Sequence, residues 1–220
     1  MNLLSINTSV ATEIEYQGKI ISTGIFKKPI TTPLFINKEG LSGDQQVDLK
    51  NHGGEHKAIY AFSSDHYSYW SDVLQNAQLN AGIFGENLTI SGFDESLLHI
   101  GDHISIGQCI LEISQPRIPC FKLGIALKNK DMPRLFIDHF ATGIYLRILQ
   151  EGSLEKGNKV EVIKEGTLKL SVQSIFRAYF DKEYTESESI SIMEKALLIP
   201  ELAPEWRKKL SIRLANKKIL

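Results

Sequence analysis

The sequence predicts a mainly β fold, a barrel-like body over residues 1–166 followed by a small three-helix bundle over residues 167–220. Three observations predict it. Up to Ile163 the apolar residues fall in short runs separated by Gly- and Pro-rich turns, the pattern of strands in a closed or nearly closed barrel. After Lys164-Glu165-Gly166 their spacing turns helical. The composition, 42% hydrophobic and 23% charged over 220 residues, is that of one globular domain with an appendage or of two small ones.

Leu3 to Ile6 begins the first strand, and Ile14 to Lys28 mixes β-branched and aromatic residues around Gly18 and Gly24, as short strands joined by turns do. Pro29 and Pro33 punctuate the chain before a strand at Leu34-Phe35-Ile36. Ala58 to Phe62 reads as a buried strand. Ser63-Ser64-Asp65 offers N-caps for a helix from about His66 to Leu74, with Tyr67, Trp70 and Leu74 on one core-facing side. Strands follow at Leu88–Ile90 and His103–Ile106, and Gly107-Gln108 makes a hairpin turn into Cys109–Ser114. Leu123 to Leu127 suits a short helix or a strand equally. Met132 to Phe140 has helical spacing, Ile144–Leu149 and Val160–Ile163 are strands, and Gly152 and Gly157 mark turns. Helices are expected at Val172–Phe180, Thr185–Leu198 and Ala203–Lys217.

A net charge of −1 provides no global field toward nucleic acid or an acidic membrane, so an anion site has to be a local cluster. No run approaches the ~18 apolar residues of a membrane span. Met1 to Val10 lacks the basic and apolar regions of a signal peptide. Two cysteines are too few for a disulfide framework in a chain this long, and a reduced, cytoplasmic setting is expected.

The cysteines differ. Cys109 alternates with Leu111 and Ile113 along one strand face, an apolar row that marks it as structural. Cys120 lies in Ser114-Gln115-Pro116-Arg117-Ile118-Pro119-Cys120-Phe121-Lys122, which two prolines predict to be a stiff loop leaving a strand. Arg117 and Lys122 favour a thiolate there, a nucleophile or soft metal ligand; the alternative is a small buried hydrophobe. His52-Gly53-Gly54-Glu55-His56-Lys57 admits three readings. Histidines at i and i+4 suit zinc only on a helix, which the glycines disfavour, and no third ligand is evident. Gly53 and Gly54 amides beside Lys57 suit a phosphate or other oxyanion. A solvated glycine turn is the third. Gly85-Glu86-Asn87 is either a polar binding loop or a side-chain-stabilised turn. Each segment borders a strand, so a barrel can gather all three at one mouth. One soft ligand amid oxyanion-binding groups suits a metal that arrives already chelated by an organic, phosphorylated cofactor.

These motifs, with Gly40-Leu41-Ser42-Gly43-Asp44 and Gly101-Asp102, resemble in order and spacing the MOSC family, the C-terminal domain type of molybdenum-cofactor sulfurases. The trailing helices resemble those of its YiiM-like branch. The resemblance implies a β-barrel that binds a molybdopterin-type molybdenum cofactor with Cys120 as the molybdenum ligand. It further implies reduction of N-hydroxylated compounds, such as N-hydroxylated purine bases, to amines. Matching positions expected at the cofactor are Asp44, His52, Gly53, Gly54, Lys57 and Gly85. Glu86, Asn87, Ser114, Gln115, Arg117 and Lys122 complete the set, with the phosphate held by Gly53, Gly54 and Lys57 together with Arg117 or Lys122. His52, or a water, is the candidate proton donor. The chain carries neither Gly-x-Gly-x-x-Gly after a strand nor a Walker motif, so a separate flavin or iron–sulfur protein is expected to supply electrons. The helical bundle is left three roles: docking that donor, forming a homodimer, or capping the barrel. The alternative function is a cofactor-binding module, or a sulfur carrier that uses Cys120 as a persulfide.

Overall fold

The computed structural model describes residues 1–47 and 53–217. Eight strands form the main sheet: β1 (Asn2–Thr8), β4 (Lys28–Ile30), β7 (Ile59–Ser63), β8 (Leu88–Ser91), β9 (His103–Ile106), β10 (Cys109–Pro116), β11 (Ile144–Gln150) and β13 (Val160–Lys164). Their order is β13-β9-β10-β11-β7-β8-β1-β4. Neighbours are antiparallel except β7 and β8. That parallel pair needs a crossover, which helix α1 (Tyr67–Leu74) provides. The sheet then curls until β1 meets the start of β13. Leu3 N–H donates to the Asn158 carbonyl at 3.0 Å and Val160 N–H to the Met1 carbonyl at 3.0 Å, which closes the barrel. β5 (Leu34–Asn37), β6 (Gly40–Leu41) and β12 (Gly152–Leu154) form a smaller sheet, and β2 (Thr12–Tyr16) pairs only with β3 (Lys19–Thr23).

Three local expectations change. Gly152 begins strand β12 rather than a turn, because the chain passes so close to Gln108 that an added Cβ would sit 2.7 Å from that side chain. Leu123 to Leu127 resolves as helix: α2 is Phe121–Ala126, followed by α3 (Met132–His139). The third concerns the proline loop. Ser114, Gln115 and Pro116 continue β10, with Gln115 opposite Tyr145 and Pro116 opposite Ile144 after a bulge. β9 stops pairing at Glu112, so Pro116 lies where the strand has a neighbour on one side only, a position that tolerates a missing N–H.

The uncovered side of β10 is taken by the C-terminal helices α4 (Val172–Phe180), α5 (Glu186–Leu197) and α6 (Pro204–Lys217). Ala203 N–H donates to the Ser114 carbonyl at 3.0 Å, and Trp206 Nε1–H to the Pro116 carbonyl at 2.9 Å. Ser171 caps α4, and Thr185 with Glu188 forms a capping box on α5. Val172, Phe176, Met193 and Trp206 bury their side chains in the same hydrophobic cluster as Ile104, Leu111 and Leu146 of the barrel. A second, aromatic cluster of Phe62, Trp70, Phe84 and Phe136 packs α1 and α3 against β7.

Because Trp206 is fully buried and bonded to Pro116, Trp206→Ala is expected to cost about 3–5 kcal/mol. Thermal unfolding should show the loss as one transition at lower temperature, since barrel and helices share that core.

Candidate functional site

The strand β10 ends at Pro116, and Arg117 to Cys120 forms a short loop into α2. Two backbone bonds fix Arg117: its N–H donates to the Gly143 carbonyl at 3.2 Å, and its carbonyl accepts from Thr142 Oγ1 at 2.7 Å. Gly143 has φ +82°, and a Cβ there would lie 2.5 Å from the Ala61 carbonyl, so only glycine fits. Its N–H donates at 2.9 Å to the carboxylate of buried Glu95. The clamp places Arg117 and Cys120 on one wall of a cavity of about 100 Å³.

Lys57, Lys122, Tyr60 and Tyr145 also line the cavity. Asp44, Gly85 and Asn87 line it as well, with Lys27 and the base of the β2–β3 hairpin at Thr23, Gly24 and Ile25. The Arg117 guanidinium sits 4.6 Å from the Tyr60 ring centre and 5.6 Å from that of Phe136. Burial opposes its charge, but Tyr60, Tyr145, Cys120 and Glu86 around it raise its pKa, so it stays a cation. Nη2 donates to the Phe84 carbonyl at 3.3 Å, whereas the buried Nη1 finds no acceptor among the described residues. A buried guanidinium N–H without a partner is costly in a native protein, and a cation in a cavity lining favours an anionic ligand there.

Lys57 and Asp44 are both engaged. Lys57 forms an ion pair with Glu205 of α6. Asp44 accepts from Lys27 Nζ at 2.6 and 2.7 Å, from Asn87 Nδ2 at 2.9 Å and from Ser9 N–H at 2.8 Å. Burial pulls the Lys27 pKa down, and Asp44 resists that shift. Asn87 in turn exchanges two bonds with the Tyr60 backbone, which locks the Gly85-Asn87 turn to β7.

The structure does not bring every expected residue to the cavity. Glu86 points away into the protein, where its carboxylate accepts from Gly82 N–H at 2.6 Å, Phe84 N–H at 3.1 Å, Thr89 Oγ1 at 2.9 Å and Tyr67 Oη. Burial raises its pKa against the pull of those bonds. Ser114 is buried and donates to the carbonyls of His56 and Tyr145, tying the cysteine strand to the glycine turn and to β11. Gln115 is buried beside it. Gly53 and Gly54 lie off the cavity, and Gly54 N–H donates to Gln46 Oε1 at 3.2 Å. His52 lies outside the described residues. Sequence reasoning did not single out Lys27, Tyr145 or Glu205 for the site. Tyr145 alternates within an ordinary strand, and Glu205 is 148 positions from the lysine it meets, so no local pattern marks either. No group of three or more His, Cys, Asp or Glu that could chelate a metal occurs among the described residues, which do not include His52 of the zinc reading. No helix is long and apolar enough to cross a membrane among those residues.

The fold and site together define a β-barrel protein with a thiol-bearing, cation- and tyrosine-lined cavity. The chain belongs to the MOSC domain family, whose model matches residues 48–161. It is 35% identical to the uncharacterized protein YflK of Bacillus subtilis (strain 168) over 206 residues, 94% of this chain and 91% of that one. It is 31% identical to protein YiiM of Escherichia coli (strain K12), over 67% of this chain and 70% of that one. A protein of Gibberella moniliformis (strain M3125 / FGSC 7600) named "Reductase" is 30% identical over 73% of this chain, which spans 30% of the fungal protein. The crystal structure of YiiM from Geobacillus stearothermophilus superposes with a TM-score of 0.79 at 30% identity, covering 97% of this chain and 98% of that one.

The two thiols differ physically. Cys109 is buried in the core row with Leu111 and Ile113, and burial pushes its thiol up to about 11. Cys120 is half-buried at the cavity. Iodoacetamide at about pH 8 should therefore label Cys120 in the folded protein, and Cys109 only after denaturation, as peptide mass mapping would report.

Glu95, which holds the Arg117 clamp, is in turn contacted by His66 at 3.4 Å, and His66 by His139 at 3.4 Å. Burial and the neighbouring His66 pull His139 down to about 4. Between about pH 6.5 and about 4 the unfolded chain binds a proton at this position that the folded chain excludes, so stability falls as pH falls. His66, raised by Glu95 against burial, acts in the opposite sense and loses its contribution as pH rises through its pKa. The melting temperature of His139→Gln should decline less than that of the wild type across the lower window.

Proposed function

We propose that this protein binds a molybdopterin-type molybdenum cofactor and reduces N-hydroxylated compounds, such as N-hydroxylated purine bases, to the amine. The observation that carries the reading is the pairing of a half-buried thiol with a buried, partner-seeking guanidinium in one cavity. The donor set fits such a cofactor: a single thiol suits a soft metal that brings its other ligands, and an N–H without an acceptor suits the cofactor's anionic groups. Membership of the MOSC family and the fungal relative named "Reductase" support the reading further.

In this reading Cys120 ligates the metal and Arg117 and Lys122 hold oxyanion groups, while Asn87, whose amide is spent on Asp44, Asn7 and Tyr60, fixes the loop that lines the cavity. When bound, molybdenum supplies two-electron redox chemistry matched to R–NHOH + 2e⁻ + 2H⁺ → R–NH₂ + H₂O. The chain's own contribution is binding and exclusion of water. Tyr60 and Tyr145, whose phenols burial keeps protonated, wall the cavity and place their rings against the cations. The tyrosine O–H of Tyr60 is committed to the Thr142 carbonyl at 2.8 Å, so it orients the wall rather than donating a proton to substrate. Electrons come from a separate flavin or iron–sulfur protein in the cytoplasm.

The test is molybdenum content and turnover of an N-hydroxylated base with an artificial electron donor, on protein from a cofactor-competent host. Cys120→Ala should lose both metal and activity, by at least about 100-fold in kcat/KM, while keeping the wild-type melting temperature. Cys109→Ala should keep both functions at some cost in stability. Metal bound without turnover would instead favour a cofactor carrier.

A further inference from the structure

The cavity is small for an organic cofactor. It measures about 100 Å³, whereas sites for drug-sized ligands run to about 300–1,000 Å³. A ligand of that size enters only if part of the lining moves, and the β2–β3 hairpin is such a part. Among the described residues its two strands pair only with each other, and a two-stranded hairpin alone is marginal in water. Thr23 lines the cavity, and Ile21 and Lys19 continue its face along β3, opposite Ile14 and Tyr16 of β2. Ile14, Tyr16 and Ile21 are half-buried on that face, whereas Glu13, Glu15 and Ile20 on the other are exposed. The tip is stiff: Gln17 and Gly18 have φ of +51° and +73°, the consecutive positive values of a type I′ hairpin turn. The root is pinned by Ala11 N–H, which donates to Gln45 Oε1 at 2.7 Å, and by Ser9 Oγ, which donates to the Gly24 carbonyl at 2.5 Å. At the tip Tyr16 stacks on exposed Phe121, with ring centres 5.0 Å and planes 26° apart. Phe121 lies between Cys120 and Lys122, both of which line the cavity. A stiff arm thus runs from one stretch of the lining, over about 13 Å from Thr23 to Lys19, to the residue beside the thiol.

We propose that this hairpin is a strap over the cavity entrance, and that the Tyr16–Phe121 stack is the latch that sets the size of molecule able to reach Cys120. With the stack made, the entrance passes small molecules only. With it broken, the arm swings about its pinned root and admits an organic ligand of cofactor size. Tyr16 and Phe121 are then specificity-determining residues at the rim of the cavity. The strap deepens the functional reading, on which it rests only for the identity of the ligand. Its gating is read on the thiol itself and needs no cofactor.

The experiment times alkylation of Cys120 in the cofactor-free full-length chain by iodoacetamide and by fluorescein-5-maleimide, a small reagent and a bulky one. Peptide mass mapping separates Cys120 from Cys109. Tyr16→Ala should speed the maleimide reaction about two- to tenfold, the shift that losing one aromatic pair makes in an opening equilibrium. The iodoacetamide rate should stay at the wild-type value. Phe121→Ala breaks the same contact from the other side and should give the same selective gain, and it stands in if Tyr16→Ala is poorly folded by circular dichroism. Tyr16→Phe keeps the stack and should label like the wild type with both reagents. An unchanged maleimide rate in the alanine variants overturns the proposal. Equal acceleration with both reagents also overturns it, because that marks a loosened cysteine loop rather than an opened strap. Loss of molybdenum binding by Cys120→Ala is read separately, so either result stands without the other.

Discussion

A strand that outruns its neighbour must find other partners for its polar edge, and β10 faces that constraint where the site begins. β9 leaves it at Glu112, yet the strand runs on to Pro116. Unpaired carbonyls there would cost on the order of 1–3 kcal/mol each if buried. The helical unit removes that cost with one backbone amide and one indole N–H. It is thereby part of the architecture that launches the cysteine loop, and its Glu205 pairs with Lys57 of the cavity lining from the start of α6, which Trp206 and Ala203 fix.

Behind the cavity lies a layer of buried polar groups whose work is positional. Glu86 gathers the 82–87 loop through two backbone amides and two hydroxyls. Glu95 holds Gly143, whose carbonyl holds Arg117. Asp44 draws Lys27, Asn87 and Ser9 together. A half-satisfied network of this kind would be worse than hydrocarbon, whereas a satisfied one fixes a loop in one geometry. Arg117 Nη1 is one of the buried polar atoms left without a partner among the described residues, and its residue lines the cavity.

The sequence shows the strands and the helices well because each has a period. Alternation separated Cys109 from Cys120, and the helical spacing after Gly166 located α4, α5 and α6 to within a residue or two. Proline chemistry misled at Pro116, since the rule against proline in a ladder applies to strands with neighbours on both sides. Glycine- and asparagine-rich motifs marked which loops converge but not which side chains face inward. Glu86 and Ser114 belong to motif segments and spend their hydrogen bonds inside the protein. Lys27 comes from a segment with no motif at all, and only the closed barrel brings it to the cavity.

Among the described residues the β2–β3 hairpin pairs with no other sheet, and its Tyr16 stacks on Phe121, the residue after Cys120, at 5.0 Å between ring centres. Asp44 and Gln45 anchor its start through Ser9 and Ala11, and Ser9 Oγ donates to the Gly24 carbonyl at its far end. Such an arm can lengthen, shorten or change its outer residues through evolution without unpicking a single rung of the barrel. The aromatic contact would nonetheless carry each change to the doorstep of the thiol, so divergence among relatives in what they admit has a cheap place to begin.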